Sequence, residues 1–269
     1  MRRIAHISDL HFGRHSGAVA DALIRSINDH QPHVIALSGD FTQRARTEEF
    51  TAARDFLNRL PQPKVLVPGN HDVPLYNIFN RFLRAFTKYD LYFATIGQPN
   101  NFYADEEIAV LGVNTARRFT RKNGRVSTEQ MKQIRDILGN APSGIFKILV
   151  TNHPLANPMG APTLELAGRA VRAMLAAKTA GVHLLLSGHH HRAVSGGNVE
   201  LDGGGSLLVL HAGTAISTRM RGGSANSYNV VEIDGNSVSI ILMEHVERKF
   251  RESTISRYCF KEGRWNKAK

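Results

Sequence analysis

The stretch Ile4-Ala5-His6-Ile7-Ser8-Asp9-Leu10-His11 runs from a mostly apolar segment into an aspartate and a histidine two residues apart. Three later stretches repeat the design. Val34–Leu37 leads to Gly39-Asp40, Val65–Val67 to Gly69-Asn70-His71-Asp72, and Leu184–Leu186 to Gly188-His189-His190-His191. Short apolar runs bounded by glycine and polar residues read as buried strands. If these strands end together at one edge of a sheet, the metal-binding side chains that follow them share a pocket.

Working outward, the first third alternates strand and helix patterns. Ile4–Ile7, Val34–Leu37 and Lys64–Val67 are strands, with helical periodicity around Ala18–Ile27 and Glu48–Leu60. A βαβαβ order implies parallel strands joined by right-handed crossovers. Leu75, Ile78, Phe79, Phe82, Leu83, Phe86 and Tyr89 recur at helical spacing, with Arg81, Arg84 and Lys88 on the other side. This helical segment (74–93) suits a lid or cap, a membrane contact or core packing. Ile108–Val113, Ile145–Val150 and Val182–Leu186 are further strands, with helices near Thr128–Leu138 and Leu164–Ala177. From Val199 to Met243 the texture becomes closely spaced strands with glycine turns, read as an antiparallel meander. The α/β half and the β-rich half are expected to supply two sheets packed face to face, as one domain over 1–269 with a basic C-terminal edge at 245–269.

Composition narrows the function classes. The chain has 269 residues, 42% hydrophobic and 21% charged, enough to bury a substantial core. No apolar run approaches the roughly 18 residues of a membrane span. Arg2 and Arg3 are followed by too few apolar residues for a signal peptide. The single cysteine, Cys259, excludes an internal disulfide and fits a cytoplasmic setting. A formal charge of +11 favours anionic partners: a small phosphoester, an anionic membrane surface or nucleic acid. Sparse aromatic interleaving in the basic tail does not favour nucleic acid.

The clusters suit a binuclear metal centre. Two divalent ions about 3.5–4 Å apart need an anionic bridge, for which Asp40 is the candidate. Asp9 and His11 reach one metal if the strand end curls. Asn70 offers a neutral oxygen, and His189 and His191 could serve different metals. Mixed N/O ligation suits Mn, Fe, Zn or Co better than Mg or Ca.

The ordered blocks D-x-H, G-D, G-N-H-D, H-x-P and G-H-x-H, from residue 4 to about 215, resemble the calcineurin-like metallophosphoesterases. The resemblance implies a four-layer α/β/β/α sandwich of two mixed β-sheets with flanking helices. It implies Asp9, His11, Asp40 and His191 on one metal, and Asp40, Asn70 and His189 on the other. His71 would contact the phosphate or leaving group, with Asp72 orienting it. The fourth block departs from the family pattern. It reads Thr151-Asn152-His153-Pro154, so Asn152 stands where a histidine ligand belongs, and either Asn152 or His153 would complete the second metal position. The implied reaction is phosphodiester hydrolysis by metal-activated water.

Arg44 and Asn114, which closely follow strand ends, are the candidate substrate contacts. The form with His71 looks more like cyclic-nucleotide and broad-specificity bacterial phosphodiesterases than like enzymes cleaving UDP-diacylglucosamine at a membrane. A non-catalytic binding scaffold on the same fold is the other alternative.

Overall fold

A computed structural model describes residues 1–74, 84–118, 122–158, 163–200, 204–220 and 223–268. The chain opens with β1 (Arg2–Ile7), α1 (Gly17–His30), β2 (Val34–Ser38), α2 (Thr47–Asn58) and β3 (Lys64–Val67). β1 pairs parallel with β2, and β2 with β3. Every residue of β2 and β3 is buried, as strands covered on both faces require. Ser16 caps α1 by accepting from the Val19 amide, and Val19, Leu23 and Ile27 line its buried face.

Then come α3 (Thr87–Phe93), β4 (Phe102–Ala104), β5 (Ile108–Val113), α4 (Thr128–Gly139), β6 (Phe146–Thr151), α5 (Ala170–Thr179) and β7 (Leu184–Ser187). The chain continues through β8 (Val194–Glu200), β9 (Ser206–His211), β10 (Ser227–Asp234), β11 (Ser237–Val246), β12 (Lys249–Lys261) and β13 (Arg264–Lys267). One sheet has the order β13-β12-β11-β10-β1-β2-β3, the other β4-β5-β6-β7-β9-β8. Their facing sides interlock through Ile4, Val67, Val110, Ile148, Leu186 and Leu210. The outer face of the first sheet packs on α1, α2 and α3, and that of the second on α4 and α5. The result is the expected α/β/β/α sandwich of two mixed sheets.

The division of strands between the sheets differs from the expectation. The β-rich stretch is not one meander. β9 pairs parallel with β7 and takes β8 into the second sheet, whereas β10 pairs antiparallel with β1 and carries β11–β13 into the first. Apolar alternation says which face of a strand is buried, not which neighbour it pairs with. A second correction concerns the helix expected from Leu164. It begins only at Ala170, because Leu164 is tied on both backbone groups to the Asn157 carboxamide, at 3.0 and 3.1 Å.

Residues 75–83, and with them Leu75, Ile78, Phe79, Arg81, Phe82 and Leu83, lie outside the described residues. The described end of that segment packs on the core: Tyr89 meets Phe41 edge to face and Phe93 lies tilted against it, and Tyr89 Oη donates to the Leu66 carbonyl at 2.7 Å. Among the described residues no helix is long and apolar enough to cross a membrane. At the basic C-terminal edge, Trp265 is buried against Phe146 and Phe260 while Arg264 and Lys267 stay exposed. Cations on an edge strand discourage pairing with another chain.

His6 sits fully buried on β1, its Nε2 2.8 Å from Ser38 Oγ. Burial, and to a lesser degree the neighbouring His211, pull its pKa from 6.5 down to about 3. The unfolded chain therefore takes up this proton first. Stability from keeping His6 neutral is complete above pH 6.5 and is lost as the pH falls toward about 3. Between pH 6.5 and pH 5 this one side chain should cost about 2 kcal/mol. Urea titrations of wild type and His6→Gln over that range should give a shallower pH slope for the variant; equal slopes would refute the assignment.

Candidate metal centre

The C-terminal ends of β1, β2, β3, β6 and β7 deliver the side chains of this site. The backbone turns left-handed at the letters themselves: φ is 53° at Asp9, 49° at His11, 46° at Asp40, 73° at His189 and 57° at His191. This conformation is uncommon for residues other than glycine and costs of order 1–3 kcal/mol where the surroundings must impose it. Across these turns the Asp9 and His11 side chains converge, with Asp9 Oδ1 and His11 Nε2 3.9 Å apart. Neighbouring loops hold the turns. The Asp9 amide donates to Gly39 O at 3.1 Å and the His11 amide to Asp40 O at 2.9 Å. Thr214 Oγ1 donates to Asp9 O at 2.6 Å. At Gly188 the loop after β7 lies close against the end of β1, since a Cβ there would overlap Ser8 Oγ.

Asp9, His11, Asp40 and His191 are all buried, with one potential ligand atom from each lying within 4.8 Å of the others. His11 Nε2 lies 3.9 Å from Asp9 Oδ1, 3.8 Å from Asp40 Oδ2 and 2.9 Å from His191 Nε2. The other carboxylate oxygens of Asp9 and Asp40 and the Nδ1 of His191 are used to orient these groups. Asp9 Oδ2 accepts from Ser8 Oγ at 2.7 Å and the His189 amide at 3.0 Å, Asp40 Oδ1 from the His71 amide at 2.8 Å. His191 Nδ1 lies 3.1 Å from the Arg219 carbonyl, which places a proton on Nδ1 and leaves Nε2 as the coordinating nitrogen.

Burial first, with neighbouring imidazoles, pulls His11 and His189 to about 3, so both are neutral near pH 7, as cation ligands must be. Burial opposes ionisation of Asp40, but the surrounding histidines and the His71 amide outweigh it and hold its pKa low. Burial, then the charge of Asp40, push Asp72 up to about 7, against the amides it accepts from.

Beside this group stand Asn70, Asn152 and His189. Asn152 is fully buried, and neither its Oδ1 nor its Nδ2 has a hydrogen-bond partner; His189 Nδ1 is buried and unbonded as well. Leaving such groups unsatisfied costs about 1–3 kcal/mol each, so a bound cation fits this donor set. His153 is differently placed. Its Nδ1 lies 2.8 Å from Thr115 Oγ1 and its Nε2 2.9 Å from the Lys122 carbonyl, so both ring nitrogens are occupied.

His71, Arg44, Gln43, Lys122 and His190 line a cleft of about 300 Å³ over Asp40 and Asn70. Asp72 does not touch the His71 ring. Its carboxylate accepts from the amides of Phe41, Thr42 and Gly69 and from Thr42 Oγ1, tying the Asp40 and Asn70 loops together. The ring is held instead by the Gln43 carbonyl, 2.8 Å from Nδ1. Arg44 lies in the cleft as expected; Asn114 does not. Asn114 lines a separate cavity beside Gln98 and Gln130, and its Oδ1 accepts from the Ala116 amide at 2.9 Å in a local turn. Gln43 and Lys122 carry no spacing signal and emerge only from the folded chain, whereas His190 stands in the Gly188-His189-His190-His191 run without a role of its own.

The family profile described as calcineurin-like phosphoesterase matches residues 2–193. A curated relative, the glycerophosphodiester phosphodiesterase GpdQ of Enterobacter lignolyticus, is 35% identical over 81 residues, 26% of this chain and 29% of that protein. The match thus spans under a third of that relative. A dimetal phosphatase from Danio rerio superposes with a TM-score of 0.64 at 13% identity, covering 93% of this chain and 98% of that one. The purple acid phosphatase PPD1 of yellow lupin gives 0.65 at 12% identity, over 94% and 53% of the two chains. The phosphopantetheinyl hydrolase of Mycobacterium tuberculosis gives 0.52 at 18%, over 78% and 89%. At these identities the likeness concerns the fold.

Proposed function

The chain belongs to the calcineurin-like phosphoesterase family, and from that premise we propose that it is a binuclear metal-dependent phosphodiesterase acting on a small diester. The observation that carries this reading is the buried Asp9–His11–Asp40–His191 group at the base of a cleft whose walls are cationic. Asp9, His11, Asp40 and His191 would hold one metal, and Asp40, Asn70, Asn152 and His189 the other. Bound there, the metals would supply a water acidic enough to act near neutral pH and positive charge for the phosphoryl oxygens.

The chain's own groups do the rest. Arg44 and Lys122 attract and orient the anionic ester. The Gln43 carbonyl keeps a proton on His71 Nδ1, so that in the imidazolium form, with both ring nitrogens protonated, Nε2 is the nitrogen that would give its proton to the departing oxygen. A cleft of about 300 Å³ suits a small molecule rather than a polymer, and the similarity to a glycerophosphodiester phosphodiesterase agrees with a compact diester. The deciding assay is hydrolysis by Mn-, Zn- and Fe-loaded protein of bis-p-nitrophenyl phosphate, cyclic nucleotides, dinucleotides, glycerophosphodiesters and UDP-diacylglucosamine. Turnover of a soluble diester supports the reading. Activity confined to UDP-diacylglucosamine in detergent would replace it with a lipid pyrophosphohydrolase, and inertness toward the whole panel would leave a binding scaffold.

Asn152 and His153 give a sharper expectation. Asn152→Ala should weaken the second metal by about 10- to 100-fold, whereas His153→Ala should change stability more than metal affinity. Calorimetric metal titration of both variants checks this; equal metal loss in the two would return His153 to the ligand set.

A further inference from the structure

Gln43 and Arg219, 176 residues apart, clasp each other beside the cleft: Arg219 Nη1 donates to Gln43 Oε1 at 3.2 Å. A guanidinium has donors only, so this contact settles which way the Gln43 carboxamide points. Oε1 faces Arg219, and Nε2 faces the other side. There Nε2 lies 3.3 Å from His71 Nδ1. That nitrogen already sits 2.8 Å from the Gln43 main-chain carbonyl, a contact that requires a proton on Nδ1. A protonated ring nitrogen cannot also accept from Nε2. The amide group of Gln43 is therefore an oriented donor with unspent hydrogens, on a half-buried side chain that lines the cleft next to His71.

The backbones beneath both residues are pinned as well. The Gln43 amide donates to Phe12 O at 2.9 Å, the Arg219 amide to Ser217 Oγ at 3.1 Å, and the Arg219 carbonyl faces His191 Nδ1. The same two residues thus set the tautomers of two site histidines with their carbonyls and meet through their side chains. Preorganised donors of this kind act on an oxyanion without reorganising during the reaction.

We propose that Gln43 is a specificity-determining residue whose carboxamide NH₂ binds an acceptor oxygen of the phosphoester beside His71, and that Arg219 is the positioning residue that aims it. The proposal deepens the phosphodiesterase reading and rests on it for the identity of the ligand. Truncation of either side chain leaves the backbone carbonyls in place, so metal content and melting temperature serve as controls.

The experiment measures two things on metal-loaded protein: kcat/KM on bis-p-nitrophenyl phosphate, and the affinity for inorganic phosphate by calorimetry. Gln43→Ala and the isosteric Gln43→Glu should each lower both by roughly 10- to 100-fold. Arg219→Ala should lower them by about 5- to 10-fold, and Arg219→Lys, which still offers a donor to Oε1, should recover most of the loss. Because Arg219 acts through Gln43, the double variant Gln43→Ala/Arg219→Ala should be no worse than Gln43→Ala alone. Wild-type phosphate affinity in Gln43→Ala and Gln43→Glu would overturn the proposal, and so would fully additive losses in the double variant. If the wild-type protein binds phosphate but hydrolyses no diester, the phosphodiesterase reading fails while the phosphate titrations still decide the role of Gln43.

Discussion

Asp40→Asn should lower hydrolysis of bis-p-nitrophenyl phosphate by roughly 10³-fold or more and reduce metal content from about two ions per chain. Asp40 is the carboxylate proposed to bridge the two metal positions. Its Oδ2 lies 3.8 Å from His11 Nε2, and its Oδ1 accepts from the amide of His71 at 2.8 Å. Asparagine keeps the shape but replaces one anionic oxygen with an amide nitrogen that cannot coordinate. Two cations would then face each other without the charge that holds them together. The expected loss lies in metal occupancy and kcat, with the fold intact. Plasma emission spectrometry alongside kinetics tests this, and a variant retaining both metals and activity within tenfold of wild type would rule Asp40 out as the bridge.

Gly69→Ala should destabilise the metal-free protein by about 3 kcal/mol and abolish the site. A Cβ at Gly69 would overlap the backbone nitrogen and the carboxylate of Asp40. Backbone cannot swing aside as a flexible side chain does. The β3 loop must retreat, taking Asn70 and His71 away from Asp40 and breaking the Asp72 bonds that join the two loops. Gly17→Ala is the matched control. It has nothing within 4 Å of the added carbon and lies at the first turn of α1, so the change should be neutral or slightly stabilising. Urea denaturation in chelator separates the two; a cost under about 1 kcal/mol for Gly69→Ala would show that the loops are looser than their contacts imply.

Much of this was legible in the order of residues. Apolar runs that end on Asp9, Asp40, Asn70 and His189 announce both the strands and the edge at which they finish, because parallel strands joined by helices expose all their C-terminal ends together. The residue types point to the chemistry without any coordinates: carboxylates, imidazoles and an amide at strand ends suit a bound cation. Local periodicity likewise placed α1, α2 and α4 within a few residues.

Other features have no local cause. Whether β8 and β9 join the first or the second sheet is a question of partner, and the same alternation satisfies either. Asn152 and His153 are adjacent letters, separable only when Thr115 and the Lys122 carbonyl arrive from distant chain to occupy the histidine. Asp72 looks like a partner for His71 beside it, yet the amides of Phe41 and Thr42 from a distant loop, with that of Gly69 from its own, offer its carboxylate more than one ring nitrogen can. The Gln43–Arg219 contact closes a span of 176 residues. Composition and spacing therefore establish the strands, the edge and the metal-binding residue types, because those depend on neighbours along the chain. The assignment of each polar atom to its partner belongs to the packed molecule, where residues distant in sequence compete for the same donors and acceptors.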